Sequence, residues 1–182
     1  MNSDKKLNQI ITAALFAAMT CIATMVIRIP TIGTSGYVNI GDTVVLLSAW
    51  LLGNPYGALA AGIGSALADL LAGYGSYVPG TAIIKFAMAF VAAIIYKVIG
   101  NVPVKNGTNK AMKFVGHIIS GVVAELIMVF GYFLYESTLL GYGIGAASSI
   151  VSNIIQGVTC LVLALALIEA LSKVIGVQKK NV

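Results

Sequence analysis

The sequence has very few charged residues. Eleven basic and six acidic residues occur among 182, whereas 59% of all residues are hydrophobic. So few charges cannot cover a soluble domain, and we therefore predict an integral membrane protein. The net charge of +5 does not indicate nucleic-acid binding, because the lysines lie at the ends of apolar runs rather than on one face among aromatic residues.

Residues that carry out enzyme chemistry are also scarce. The one histidine, His117, and the two cysteines, Cys21 and Cys160, are too few and too separated for a metal site or a disulfide framework. Ser65 in "GIGSA" resembles an intramembrane nucleophile, but His117 is predicted near the opposite membrane face, beyond reach as a base. No GxxxxGK[ST] phosphate loop is present. We expect no enzyme activity, cofactor or metal, and we expect a role in binding or transport.

Six apolar runs are candidate membrane segments, since about 20 apolar residues cross a bilayer. The second run is short and carries Asp42 near its start, so it could also be re-entrant. We predict an all-α bundle of six transmembrane helices that forms a single membrane domain over residues 1–182. The predicted helices are 7–27, 40–53, 55–72, 80–99, 111–135 and 145–174.

The lysines predict the orientation of this bundle. With six crossings, nine of the eleven basic residues lie on one side, and Arg28 and Lys85 are the two exceptions. Cytoplasmic loops are enriched in Lys and Arg, so we predict that both termini are cytoplasmic. The nine residues are Lys5, Lys6, Lys97, Lys105, Lys110, Lys113, Lys173, Lys179 and Lys180.

A polar stripe interrupts the last apolar run. In "SSIVSNIIQG", Ser149, Ser152, Asn153 and Gln156 follow a spacing of i, i+3, i+4 and i+7, so they share one helix face. Hydrogen bonding between helices is one interpretation, and it suits the serines well. The two amides offer donors and acceptors one turn apart, which favours contact with a neutral heterocycle.

Other polar residues are predicted in the same outer half of the membrane. Asp69, Lys85 and Glu125 lie within apolar runs, where ionisable residues usually face a watery cavity or the bundle interior. Asp69 and Lys85 could instead neutralise each other as a structural pair. Asp42 is interpreted as a cap at the positive end of the second helix. We therefore expect a pocket that opens outward and is large enough for one heterocycle.

Small residues form a second pattern. Ala13 with Ala17, and Ala14 with Ala18, are spaced as small-xxx-small pairs in the first helix. Such faces allow helices to approach closely. The pattern indicates either packing within the chain or a docking face for another membrane subunit.

Three stretches carry a resemblance to a known family. They are "YVNIGDTVVLLSAWLLGNPYGALAAGIGSALADLLAGYGSYVPGTAIIKFAMAF" (residues 37–90), "ELIMVFGYFLYES" (residues 125–137) and "SNIIQG". Together they resemble the substrate-binding S components of energy-coupling factor (ECF) vitamin transporters of bacteria, in particular the riboflavin-type branch.

The resemblance implies a fold, partners and a site. It implies a six-helix S-component fold in the bacterial cell membrane that captures a vitamin at the outer face and works with a transmembrane coupling subunit and two ATPases. It implies docking of the coupling subunit at Ala13, Ala14, Ala17 and Ala18. The substrate-binding residues that it implies are Tyr37, Asn39, Lys85, Glu125, Tyr132, Asn153 and Gln156.

The cargo is predicted from the chemistry of these residues. One lysine, one carboxylate and two amides suit a small hydroxylated ring, so we expect a vitamin B6-type pyridine or hydroxymethylpyrimidine, with riboflavin as the alternative. An alternative of another class is an autonomous secondary transporter that uses Asp69 or Glu125 as an ion relay.

Overall fold

The computed structural model describes residues 3–100 and 110–180. It confirms an all-α membrane bundle with six α-helices in the described residues. The segment at 101–109, which the sequence predicts to be cytoplasmic and which contains Lys105, lies outside the described residues. The helices are α1 (Ser3–Val26), α2 (Gly41–Leu51), α3 (Tyr56–Leu71), α4 (Val78–Gly100), α5 (Lys110–Leu134) and α6 (Ser148–Lys180).

Four of the six helices are long and apolar enough to cross a membrane by themselves. These are α1, α4, α5 with the turn that follows it, and α6 with the turn that precedes it. The other two, α2 and α3, have 11 and 16 residues, or lengths of about 16 and 24 Å. From the end of α1 to the end of α5, every boundary lies within two residues of the predicted one.

The short helix α2 lies at the centre of the bundle. It contacts each of the other five helices, and residues 41–50 are all buried. A helix without a polar face is stable when other elements surround it. Because protein surrounds α2, a polar side chain in its first turn faces neighbouring helices rather than lipid. Asp42 is such a residue.

Glycines let α3 approach its neighbours closely. A Cβ at Gly64 would lie 2.3 Å from the carbonyl oxygen of Ala17 in α1, and a Cβ at Gly62 would lie 2.8 Å from the carbonyl oxygen of Ala82 in α4. A side chain at either position would force two backbones apart. The small residues of α3 therefore serve packing within this chain.

Gly64→Ala is expected to lower the free energy of unfolding by about 1–3 kcal/mol, because the added methyl group meets backbone that cannot rotate away. Denaturant titration in mixed micelles measures this change. Gly75→Ala is the matched control, since a Cβ at Gly75 meets nothing within 4 Å, and its effect should stay within about 0.5 kcal/mol. Equal stability of the two variants would contradict the close approach of α1 and α3.

Four short elements were not predicted from the sequence. Strands β1 (Ile29–Pro30) and β2 (Tyr37–Val38) pair antiparallel and form a hairpin between α1 and α2. A π-helical turn (Tyr135–Leu139) ends α5, and a 3-10 turn (Gly143–Ala147) precedes α6. We call residues 27–40 the hairpin loop, and the end of the bundle that it covers the hairpin end. This is the end that the lysine pattern predicts to be exterior.

His117 packs at the opposite end of the bundle, as predicted. Its ring stacks on Tyr96 with 4.3 Å between centroids and meets the edge of Trp50 at 4.7 Å. The indole nitrogen of Trp50 donates a hydrogen bond of 2.9 Å to Ser120. These contacts describe a packed aromatic cluster.

Candidate functional site

A narrow polar cavity lies at the hairpin end, where the hairpin loop meets α3, α4, α5 and α6. Hydroxyl, amide and carboxylate groups from all these elements converge there, as the sequence predicts. The lining residues are Thr31, Gly36, Tyr37, Asn39, Asp69, Tyr77, Thr81, Tyr132, Glu136, Asn153 and Gln156.

Two of the hydrogen bonds that hold the hairpin loop against the helices join residues of the cavity wall. The Tyr37 hydroxyl donates to Asp69 Oδ1 at 2.6 Å, and the backbone N–H of Asn39 donates to Gln156 Oε1 at 2.7 Å. Burial, together with the hydrogen bond to Asp69, raises the pKa of Tyr37 above its ordinary value, so its hydroxyl stays protonated and donates. The loop therefore covers the cavity and contributes part of its wall.

A second carboxylate, Glu136, lies on the wall at the π-helical turn. The Tyr77 hydroxyl donates to its Oε1 at 3.0 Å, and the Ser149 hydroxyl donates to its Oε2 at 2.5 Å. Burial and the charge of Glu136 raise the pKa of Tyr77, so this hydroxyl also remains a donor. Glu136 is 2% exposed, and the turn, which inserts an extra residue into the helix, carries it inward.

An ion pair lies beneath the wall. Lys85 in α4 pairs with Asp42 Oδ1, and Gln156 Nε2 donates to Asp42 Oδ2 at 2.6 Å. The Lys85 ammonium also lies 5.2 Å from the ring centroid of Tyr132, whose hydroxyl hydrogen-bonds Thr81 at 2.9 Å. Gln156 thus links the hairpin loop above to the ion pair below.

Glu125 is buried without a hydrogen-bond partner. Its side chain in α5 packs against Gly157 in α6, and both carboxyl oxygens lack a partner within the described part of the chain. It is 7% exposed, and Asp42 and Lys85 are its charged neighbours. An orphaned buried carboxyl group is costly, so this position is unusual for a residue with only a packing role.

The cavity is smaller than the pocket that the sequence predicts. Its free space is about 20 Å³, which holds about one water molecule. The expectation of a void for a whole heterocycle is therefore wrong for this conformation. The hydrogen bonds that cross the cavity draw its walls together, so a ring can enter only if the hairpin loop and the tyrosine side chains move.

The structure brings most of the predicted binding residues together. Tyr37, Asn39, Tyr132, Asn153 and Gln156 line the cavity, whereas Lys85 and Glu125 lie beneath it and do not reach its wall. Asn153 is 6% exposed, and its amide makes no hydrogen bond to another described residue. The polar stripe of α6 therefore has two roles: Ser149 bonds to α5, whereas Asn153 and Gln156 face the cavity.

Two interpretations of single residues are wrong. Lys85 pairs with Asp42 and not with Asp69, because α2 at the bundle centre brings Asp42 nearer. Asp42 does not cap α2, since its oxygens bond to Lys85 and Gln156. It is instead the Asn39 side chain that accepts a hydrogen bond from the Gly41 N–H at the start of α2, at 2.8 Å.

Sequence reasoning missed Glu136, Thr81 and the partnership of Asp42. Glu136 lies at the end of an apolar run, where a carboxylate ordinarily faces water. The available signal was its position in "YES", directly after the deep residues of α5. Nothing in that spacing indicates a π-helical turn, which is what buries the side chain.

The predicted docking alanines divide between two faces of α1. Ala17 packs its backbone against Gly64 of α3, and Ala13 is half-buried one turn before it. Ala14 and Ala18 are exposed. One small-xxx-small pair thus serves packing within the chain, and the other is accessible to a partner.

A membrane bundle in which buried polar groups line a cavity at one end defines a class of membrane proteins that bind a solute. Sequence comparison gives the family: residues 4–173 match the ECF-type riboflavin transporter, S component. The chain belongs to this family. It is therefore a multi-pass membrane protein and the substrate-binding subunit of an ECF transporter, not an enzyme, and such subunits work with a transmembrane coupling subunit and ATPases.

Two individual proteins are similar to this chain. A protein of Pyrococcus woesei, described as an uncharacterized protein in gap 3'region, is 34% identical over 155 residues, which are 85% of this chain and 95% of that protein. A solved structure, described as the structure and mechanism of the S component of a bacterial ECF transporter, superposes with a TM-score of 0.66 and 19% identity over 93% of this chain and 98% of that one. This second likeness concerns the fold.

Proposed function

We propose that this S component captures a vitamin B6-type pyridine or a hydroxymethylpyrimidine in the cavity beneath the hairpin loop. The observation that carries the proposal is the amide of Asn153, which lies on the cavity wall without a hydrogen-bond partner among the described residues. An amide that faces the cavity in this way can bond to a ligand that supplies both a donor and an acceptor. The small ring substituents of these vitamins do so.

The surrounding groups suit a flat, hydroxylated ring. Tyr37 and Tyr132 present aromatic faces and hydroxyl groups, and Asn39 and Gln156 present amides between the loop and α6. Lys85 and Glu125 lie beneath the cavity. Lys85 pairs with Asp42, which accepts a hydrogen bond from Gln156, and this pairing orients the Gln156 amide. Entry of the ring requires the hairpin loop to open, and its hydrogen bonds to the helices close it again afterwards.

The remaining features of the transporter are proposed from the lysine pattern and the family. The chain is one six-helix domain in a bacterial cell membrane, with both termini cytoplasmic and the hairpin end outside. It associates with a transmembrane coupling subunit and two ATPases. The exposed pair Ala14 and Ala18 is the part of the alanine pattern that contacts the coupling subunit.

Two other functions have an observation in their favour. Riboflavin is favoured by the description of the family, although its three-ring system requires the hairpin loop to open further than a single ring does. Autonomous ion-coupled transport is favoured by the unpartnered carboxyl group of Glu125. Uptake by the purified chain alone in liposomes under an ion gradient would support the second and contradict the S-component proposal.

Mass spectrometry of the small molecule that copurifies with the protein is the direct test of the cargo. Titration of the purified protein with pyridoxine, hydroxymethylpyrimidine and riboflavin then ranks the candidates. We expect the pyridine or the pyrimidine to bind most tightly. Binding of riboflavin alone would overturn the proposed cargo while leaving the S-component role intact.

Asn153→Ala is expected to weaken vitamin binding about tenfold, since the lost hydrogen bonds to a buried ligand contribute about 1.4 kcal/mol. Thermal unfolding should remain unchanged, because the amide has no hydrogen-bond partner to lose among the residues that the structure describes. Ser152→Ala is the control on the same helix, and isothermal titration measures both variants. Unchanged affinity in Asn153→Ala would contradict ligand contact and would favour the interpretation of the polar stripe as hydrogen bonding between helices.

A further inference from the structure

The charges on the cavity wall all have one sign. Asp69 and Glu136 are the charged residues that line it, and they are 4% and 2% exposed. Neither makes an ion pair with a described residue. Lys85, the nearest buried cation, is already paired with Asp42 beneath the wall. Arg28 lies on the exposed part of the hairpin loop.

The hydrogen bonds of these carboxylates leave acceptors facing the cavity. The Tyr37 hydroxyl donates a hydrogen bond to Asp69, and the Tyr77 and Ser149 hydroxyls donate hydrogen bonds to Glu136. Gln156 likewise directs its N–H to Asp42 and its oxygen to the hairpin loop. Each carboxylate oxygen and each donating hydroxyl still has lone pairs. The two carboxylates and the hydroxyls that donate to them therefore accept a further hydrogen bond more readily than they donate one.

We propose that the cavity selects a ligand that carries a protonated amine or several N–H donors, and that it rejects carboxylates and phosphates. This inference rests on the proposed function and specifies the charge of the ligand at the same site. A ligand ammonium group replaces the missing counter-charge of Asp69 and Glu136, whereas a ligand anion meets two like charges in a space from which water is largely excluded. Among the pyridine vitamins this favours an aminomethyl substituent.

Compounds that share one ring and differ in one substituent test the charge preference. Pyridoxamine carries an amine, pyridoxine a hydroxyl and 4-pyridoxic acid a carboxylate. We expect affinity to fall in that order, with a difference of about 100-fold or more between the amine and the acid, because charges about 6 Å apart near a protein surface interact by a few kcal/mol. Equal or tighter binding of the acid would overturn the inference and leave the proposed cargo class standing.

Parallel pairs separate failure of the proposed function from failure of this inference. Riboflavin and its 5'-phosphate form a neutral and anionic pair, and aminomethyl and carboxylate pyrimidines form another. If the pyridines and the pyrimidines fail to bind but riboflavin binds and its phosphate does not, the proposed cargo is wrong and the charge preference stands. If no member of any pair binds, both are wrong.

Isosteric variants test whether the two carboxylates cause the preference for an amine over an acid. Asp69→Asn and Glu136→Gln keep an oxygen for the tyrosine hydroxyls but remove the charge. Each should lower the ratio of amine to acid affinity about tenfold, since it removes one of the two interacting charges. A merely structural role would weaken all three pyridines equally and leave the ratio unchanged, and that result would overturn the assignment. Asp4→Asn and Glu169→Gln, which remove the same charges far from the cavity, should leave the ratio as it is.

Discussion

Replacing Lys85 with methionine is expected to destabilise the bundle by about 3–5 kcal/mol, the largest effect on stability that we expect from one substitution. Methionine has nearly the same volume as lysine, so packing is retained and the change isolates the charge. Asp42, which is 0% exposed, would lose its counter-ion at the centre of the bundle. Its remaining partner, Gln156, cannot neutralise a carboxylate. Denaturant titration in mixed micelles gives the free energy of unfolding.

Two controls make this result specific. Lys6→Met applies the same change to an exposed residue of α1 and should stay within about 0.5 kcal/mol of the native chain. The double variant Asp42→Asn with Lys85→Met removes both charges and should recover much of the lost stability, since an uncompensated buried charge costs more than a missing pair. If the double variant were less stable than Lys85→Met, the ion pair would not be what holds α2 and α4 together.

Ala14→Trp is expected to abolish vitamin uptake by the assembled transporter while leaving vitamin binding by the isolated subunit unchanged. Ala14 is exposed on α1 and has Ala18 one turn later, a spacing that lets a partner helix approach closely. An indole at this position fills the space that the partner would occupy. Radiolabelled uptake into proteoliposomes that contain all the subunits measures the first effect, and titration of the purified chain measures the second.

The choice of alanine matters for this experiment. Ala17 contacts Gly64 of α3 through its backbone, so Ala17→Trp would confuse docking with folding. Val162→Trp adds an indole to an exposed position of α6 and should preserve uptake. Normal uptake with Ala14→Trp, or a loss with Val162→Trp, would contradict docking on the exposed alanine face.

The helices could be predicted from the sequence because each is a local property. An apolar run and its flanking glycines, prolines and lysines lie within about 20 residues of sequence. The predicted boundaries from the end of α1 to the end of α5 therefore agree closely with the structure. The hairpin loop was not predicted because each of its strands has only two paired residues. So short a hairpin is stabilised by the helices beneath it, and its residues carry no alternating sequence pattern that would indicate strands.

The site was predicted only in part, and single residues show why. Asn153 and Gln156 were identified because a helix places them on one face whatever surrounds it. Asp42 and Lys85 are 43 residues apart in the sequence, and their pairing depends on α2 lying between the other helices. No rule of residue spacing in the sequence predicts that central position of α2.

The sequence by itself determined that this protein is a six-helix membrane bundle with polar groups gathered towards one end, because hydrocarbon permits only helices with satisfied backbones and makes each buried charge costly. The tertiary structure decided which of these polar groups form a wall and which lie beneath it. It made the short α2 the central helix, used a π-helical turn to bury Glu136, and closed the hairpin loop over the cavity. Those outcomes follow from contacts between distant segments, and only the packed chain specifies them.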